Sequence, residues 1–304
     1  MFKIKRKYFL IVFIFILLFK AGQAWALQFS PVIKKPELNP GEEIMDQIKL
    51  HNDLGREVEY KIEVLTFKAS ENGKDPDFSQ TLNQKNSNFL SWIELSETGI
   101  KLEKNASAII DYKIKIPEDA GAGGYYFAIL FSEKGLGNED IIISGKTGPI
   151  FLLKVNGEIN YDYSLKEFKA NLQEQKIKIK FDYKVNNKSN IHVVPSGVII
   201  IRSLGITGFK EIGRVKLNQN QKNILPDSER ILKEEFKFPR DKFLPLGFYK
   251  FELILNNDNL EKKAATETIF ISSELIKIVI SIIVLQFIII ALITYLKKKN
   301  KYKY

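Results

Sequence analysis

Side chains able to carry chemistry are few in this 304-residue chain. It has two histidines, His51 and His192, and no cysteine. A protein zinc site gathers three or four nitrogen, sulfur or carboxylate ligands. Neither histidine has a His-x-x-x-His partner or a thiol to join it, and both read as polar residues in or beside an early strand. Carboxylates pair at Asp75/Asp77 and Glu139/Asp140, within ENGKDPD (71–77) and GLGNED (135–140). Calcium takes such carboxylate and carbonyl oxygens, but neither loop follows the EF-hand spacing. Both read as solvated turns. There is no Gly-x-Ser-x-Gly elbow and no P-loop. Asn105-Ala-Ser107 and Asn187-Lys-Ser189 match the glycosylation sequon, which matters only in a eukaryote, whereas the Lys, Ile and Asn-rich usage reads as bacterial. The expectation is a protein that is not an enzyme, with no metal site and no cofactor.

Binding chemistry is better represented. Carbohydrate-binding surfaces often use exposed aromatic rings, and Phe78, Phe89, Trp92, Tyr161 and Tyr163 are candidates. Trp92 is flanked by Ile93 and Leu95, so a core tryptophan is the plainer reading of it. Tyr126 and Leu130 join the candidates for another reason. From Tyr125 to Phe131 every residue is apolar or aromatic, so both faces of a strand there need cover. Tyr125, Phe127, Ile129 and Phe131 fill one side; Tyr126, Ala128 and Leu130 face the other. A loop such as 69–91, a second domain or a partner would cover that side, and cover by the chain itself is favoured.

The elements that position these residues are strands. Val58, Tyr60, Ile62 and Val64 alternate with Glu59, Lys61 and Glu63, and the same period of two recurs at 108–116, 177–185 and 249–255. Successive side chains of a strand point to opposite faces, so each segment has one dry and one wet face. The pattern is also repeated. IKIPED (114–119) leads to Gly124-Tyr-Tyr-Phe, and FKFPRD (236–241) leads to Gly247-Phe-Tyr. One module is used twice. The glycine-rich PEDAGAGGYY therefore reads as a structural corner rather than a ligand loop. Phosphate-cradling loops open helices, and this one opens a strand. In immunoglobulin-like sandwiches a tyrosine at this corner bonds back to upstream backbone. Pro117, Gly124 and Tyr126 take those places in the first copy; Pro239, Gly247 and Tyr249 take them in the second. The fold class is all-β: two immunoglobulin-like antiparallel β-sandwich domains in tandem plus one C-terminal transmembrane helix, the domains running 27–156 and 157–272.

The ends of the chain set its compartment. Residues 1–26 give a basic start, a 12-residue apolar run from Tyr8 to Phe19, and Ala24-Trp25-Ala26. That is the layout of a cleaved secretory signal peptide. Ile278 to Leu296 is a 19-residue run with no charged residue, followed by KKKNKYKY. A span needs about 20 apolar residues, and lysines massed beyond it mark the cytoplasmic side. The expected helix is 275–296 and the expected cytoplasmic tail 297–304. No LPxTG-like motif precedes the helix, so it reads as a permanent single-pass anchor. Taking the 11 basic residues of the two ends from the total of 46 leaves 35, against 36 acidic residues. The +10 net charge belongs to targeting and topology, and gives no argument for a nucleic-acid partner.

Pro40-Gly41-Glu42, Trp92-Ile93 and IPEDAGAGGYYFAILF (116–131) together resemble the first domain of WxL-interacting proteins. Leu225-Pro-Asp-Ser228 and Leu246-Gly-Phe-Tyr249 are similar to that family's second, host-binding domain, and the order of signal, two domains, helix and basic tail also matches. The resemblance implies a membrane-anchored cell-envelope protein at the bacterial surface. Its first domain would contact peptidoglycan and its second a protein partner. The alternative is a chaperone-like or assembly module for surface proteins, acting by strand-edge pairing.

Overall fold

The structure is a computed structural model. It describes residues 27–79, 87–134, 145–173, 178–238, 247–256, 263–271 and 274–301. The expected signal peptide, the loop 135–140, Pro239 and the end of the basic tail lie outside them. The described chain is mostly strand, and it forms two compact units. Unit 1 holds residues up to Thr66, Thr81–Gly121 and Tyr125–Val155; unit 2 holds Phe67–Gln80, Ala122–Gly124 and Asn156 onward. The second unit thus includes two pieces drawn from within the first unit's sequence.

In unit 1 one sheet runs β1 (Leu27–Ser30), β4 (Glu43–Asn52), β10 (Ser107–Lys115), β8 (Ile93–Leu95). The other runs β2 (Ile33–Lys34), β12 (Ile150–Val155), β11 (Gly123–Glu133), β5 (Val58–Thr66), β9 (Gly99–Leu102), with β3 (Glu37–Leu38) also on β12. Alternation decides what faces inward. Ile48, Leu50, Ile110, Tyr112 and Ile114 from the first sheet meet Tyr60, Ile62, Phe127, Ile129, Phe131, Phe151 and Leu153 from the second. Each such side chain contributes about 1.5–3 kcal/mol by leaving water. Phe127 and Phe151 stack with ring centroids 4.6 Å apart. The sandwich is not purely antiparallel, as the sequence had suggested. After the cis Ser30–Pro31 peptide the N-terminal segment passes from β4 to the other sheet, where β2 and β3 pair with β12 in parallel.

Unit 2 repeats the plan. One sheet is β13 (Tyr163–Gln173), β14 (Lys178–Asn187), β17 (Ser228–Lys237). The other is β16 (Gly208–Lys216), β15 (Ser196–Gly205), β18 (Gly247–Asn256), β19 (Lys263–Ile271). Pair for pair, β14 with β17 matches β4 with β10, and β15 with β18 matches β5 with β11. Phe181, Tyr183, Ile199, Ile201, Phe251 and Leu253 lead its core. The small hairpin of β6 (Lys68–Ala69) and β7 (Pro76–Asp77) belongs to this unit.

A helix, α1 (Glu274–Lys301), follows β19. Its 28 residues make about 42 Å at 1.5 Å per residue. Its side chains are described from Ser281 to Tyr295, all exposed and mostly apolar. With only that stretch to count, no helix among the described residues is long and apolar enough to cross a membrane.

Candidate functional site

The aromatic candidates of unit 1 divide by position. A single 3₁₀ turn, Ser87–Trp92, carries Phe89 and Trp92 to Tyr125 at the start of β11. Ring centroids lie 5.2 Å apart for Phe89–Tyr125, 5.9 Å for Phe89–Trp92 and 4.8 Å for Trp92–Tyr125. Phe89 is buried behind the other two and reaches Phe127 in the core; Trp92 and Tyr125 are half-buried. The result is a small aromatic step at the surface. Leu130 takes no part in it. Ala128, Leu130 and Leu152 point away from the unit 1 core yet are buried within this single chain, so the chain itself covers that face. Neither Phe89 nor Leu130 offers a surface to a ligand. Tyr126 is half-buried on the covered side. Phe78 belongs to unit 2, against Phe67 at 5.7 Å. Tyr163 is buried and donates to Asn256 O, while Tyr161 is half-buried.

The corner exists, one residue away from its expected place. Tyr125, not Tyr126, donates its hydroxyl to Gly121 O at 2.8 Å. The reason is the period of two. Tyr125, Phe127, Ile129 and Phe131 face the core, as do Tyr249, Phe251, Leu253 and Leu255 in β18. Tyr125 therefore corresponds to Tyr249, and Gly123 rather than Gly124 corresponds to Gly247. The backbone agrees: Gly123 has φ 147° and Gly247 φ 144°. Burial pushes both phenols above the usual tyrosine range. Pro117 sits where the chain leaves β10, and the Pro40-Gly41-Glu42 turn is laced to it. Gly41 N donates to Ile116 O at 3.0 Å, and Ile116 N to Glu42 O at 2.9 Å.

Sequence reasoning missed a pair of buried asparagines. Asn52 ends β4 and Asn187 ends β14, and both are fully buried. Asn52 Nδ2 donates to Arg56 O, Leu102 O and Glu103 O, and its Oδ1 accepts from Leu54 N. Asn187 Nδ2 donates to Ile191 O and Ile224 O, and its Oδ1 accepts from Ser189 N. Each closes an Asx turn and ties it to a second segment. The signal was present: each early strand of the repeat ends on Asn before a polar turn. Asn187, noted only as a sequon, is inaccessible to any modifying enzyme.

Unit 2 offers a different surface. The outer face of β13–β14–β17, with Asn72 and Lys74 beside it, lines a groove of about 400 Å³. Charges of both signs alternate along it. Lys184 reaches Glu167 at 3.3 Å and Glu229 at 3.5 Å, and Lys233 reaches Asp182 at 3.6 Å. Hydrogen bonding from Lys169 and Lys184 holds Glu167 below the usual carboxylate range. Exposed pairs of this kind contribute at most about 1 kcal/mol each; their effect is to give the groove a charge pattern. Beyond the groove lies the free edge of β17. In unit 1 the matching strand, β10, is flanked by β8. Among the described residues no strand pairs with the far edge of β17. Gly73 packs hard against it, since a Cβ there would lie 2.1 Å from Glu229 O.

In the 71–77 loop Asn72 Oδ1 accepts from Lys74 N, and Asp77 Oδ1 from Ser79 N. His51 Nδ1 lies 2.9 Å from Ser107 Oγ. Among the described residues no three His, Cys, Asp or Glu are grouped to hold a metal ion.

No protein-family profile matches this chain, and no curated protein matches it. Solved structures similar to it include the class 5 fimbriae chaperone CfaA, with 12% identity over 81% of this chain and all of that one, at a TM-score of 0.37. The E. coli chaperone DraB gives 12% identity over 82% and 97%, at 0.31. The Pseudomonas aeruginosa chaperone CupB2 gives 9% over 80% and 100%, at 0.29. Likenesses this remote carry no argument about what the chain binds.

Proposed function

We propose that the chain is a non-catalytic cell-envelope protein of a bacterium, held in the membrane by α1, that binds a surface protein by adding a partner's strand to β17. The observation that carries this reading is the open edge. Ten residues of β17 span about 33 Å, and in their equivalent in the first unit β8 flanks the stretch Tyr112–Ile114. Strand addition takes its affinity from main-chain hydrogen bonds and its specificity from alternate side chains. Here the outward set is Glu229, Ile231, Lys233, Glu235 and Lys237, all exposed. Charge on an edge deters indiscriminate pairing and favours a strand of complementary pattern.

The anchor rests on the 19 uncharged residues from Ile278 to Leu296, inside α1 and ahead of five lysines. Export rests on residues 1–26. A wall contact by unit 1 rests on the resemblance to WxL-interacting proteins and on the aromatic step, where the half-buried rings of Trp92 and Tyr125 lie 4.8 Å apart. The strand-addition reading is tested with a photo-crosslinking residue at position 235 in the full-length chain in cells, and at position 113, where β8 flanks β10, as control. A discrete adduct is expected at 235 alone, lost when Lys233→Glu and Lys237→Glu reverse the charges on either side of the probe. No adduct at 235, or the same adducts at both positions, would sink the proposal. For the wall contact, retention of the full chain on isolated sacculi should fall with Trp92→Ala.

A further inference from the structure

The second unit carries an apolar row at one end, which neither its core nor the β17 edge uses. β15 and β16 form a hairpin closed by Ile206 and Thr207, with Gly205 opposite Gly208 and Leu204 opposite Phe209. Ile206 is fully exposed, at 107%, and Leu204, Phe209 and Phe248 are 47%, 42% and 47% exposed. They are not scattered. The register of β15 on β18 ends at Ser203 opposite Tyr249, so the next step sets Leu204 beside Phe248. Phe209, Leu204 and Phe248 thus form one row across three adjacent strands, about 10 Å long at the usual strand spacing. All three lie on the outer face, because their neighbours Tyr249 and Phe251, Ile199 and Ile201 define the inner one. Ile206 projects two residues beyond the row. Contiguous exposed apolar groups of this kind mark an interaction surface.

Chain connectivity says which surface. β18 pairs with β19 so that Gly247 opposes Ile271 and Phe248 opposes Phe270. The row therefore lies at the end of the sheet where β19 finishes. Glu274, the first residue of α1, follows Ile271 by three residues, a reach of at most about 11 Å. The end that carries the apolar row is the end from which the apolar helix departs. The hairpin tip also suits a bilayer surface electrically: Ser203 to Phe209 holds no charged residue, while Arg202 pairs with Glu252 and Lys210 stands beside Glu211. Aromatic side chains concentrate at the membrane–water interface, and lysine stems reach from there to water.

We infer that the β15–β16 hairpin and Phe248 form a membrane-docking edge, with Ile206 entering the headgroup region of the bilayer that holds α1. This rests on the anchor reading of α1 and adds a second contact to it. A sandwich tied down at two places would hold the β17 edge at a fixed height and tilt rather than swinging on one strand end.

The chain has no cysteine, so single labels are unambiguous. Full-length Ile206→Cys, Ile288→Cys and Asn220→Cys are each labelled with an environment-sensitive fluorophore. They are reconstituted in phosphatidylcholine and phosphatidylglycerol vesicles carrying nitroxides at headgroup or deep acyl positions. Ile206 and Asn220 are exposed, so neither change disturbs the fold. The expected result is deep quenching at 288, a blue shift with shallow quenching at 206, and no quenching at 220. Quenching at 288 with 206 behaving like 220 would overturn the docking edge and leave the anchor standing. An unquenched label at 288 would overturn the anchor, and the docking edge with it. A blue shift at 206 that persists in detergent and ignores the nitroxides would assign the row to a protein partner instead.

Discussion

Asn52 at the end of β4 and Asn187 at the end of β14 are the same device in two sandwiches, fully buried and bonded only to main chain. Around that shared clamp the units diverge. In unit 1, β8 flanks β10 at Tyr112–Ile114, and β2 and β3 flank β12. In unit 2, no strand among the described residues pairs with the far side of β17, and the Gly73 turn packs against it at Glu229. The lesson is that the repeated plan fixes the core and the turns, while function is free to differ at the edges. A sheet edge is the one part of a sandwich whose main-chain groups a second molecule can satisfy.

The strongest way to break this comparison is to remove the clamps. Leucine has asparagine's branched outline, a larger volume and no donor. Asn52→Leu takes the side-chain donor from Arg56 O, Leu102 O and Glu103 O, the last still accepting from Ala106 N, and frees Leu54 N; Asn187→Leu takes it from Ile191 O and from Ile224 O, which still accepts from Val193 N, and frees Ser189 N. Orphaned buried groups cost about 1–3 kcal/mol each, partly recovered by relaxation. A loss of about 3–5 kcal/mol is expected at Asn52 and slightly less at Asn187. Urea unfolding of each variant measures both. A loss under about 1 kcal/mol at either would show that the two sites are not equivalent clamps.

The next effect tests the edge. Gly73 has φ +64°, and an added Cβ would meet Glu229 O at 2.1 Å. Gly73→Ala should lift the 70–75 turn from β17 at a cost of about 1–3 kcal/mol. Amide exchange at Glu229 to Ile231 should then accelerate while that of β10 stays unchanged. Unaltered exchange would mean that the turn does not shield the edge.

The period-two strands, the repeat and the domain order were legible because each rests on local pattern. Val58 to Val64 shows its inward face to anyone who counts by two. The corner was misread by one residue for the same reason: Tyr125 and Tyr126 are both tyrosines, and only the inward register of Phe127 decides between them. The clamps were hidden because the partners of Asn52 at Leu102 and Glu103 lie about 50 residues on. The open β17 edge was hidden more deeply, since no local pattern in 228–237 announces that strand β8 has no counterpart among the described residues of unit 2. Tyr125→Phe deletes the bond to Gly121 O and should cost about 1 kcal/mol, read by thermal melting.

The finest distinction between the units is electrostatic. Each sets a tyrosine against a carboxylate across the sheet that holds its clamp. In unit 1, Tyr112 donates to Asp46 at 3.2 Å, and Lys34 bonds the same carboxylate at 2.6 Å. The lysine bond holds Asp46 below the usual carboxylate range. In unit 2, Tyr183 lies 3.5 Å from Glu234, which also accepts from Asn218 N at 2.7 Å. Burial there pushes Glu234 above its usual range. The two signs are opposite. A depressed folded pKa gives stability that is present above the unfolded value and lost as pH falls through the folded one. A raised folded pKa gives stability that is complete below the unfolded value and lost as pH rises through the folded one. Asp46→Asn should therefore destabilise at neutral pH, with the deficit shrinking as the solution is acidified. Glu234→Gln keeps the acceptor for Asn218 N and sheds the buried charge. It should match the parent near pH 4 and melt higher than the parent at pH 7. Parallel pH profiles for the two variants would show that neither carboxylate feels the surroundings that distinguish one sandwich from the other.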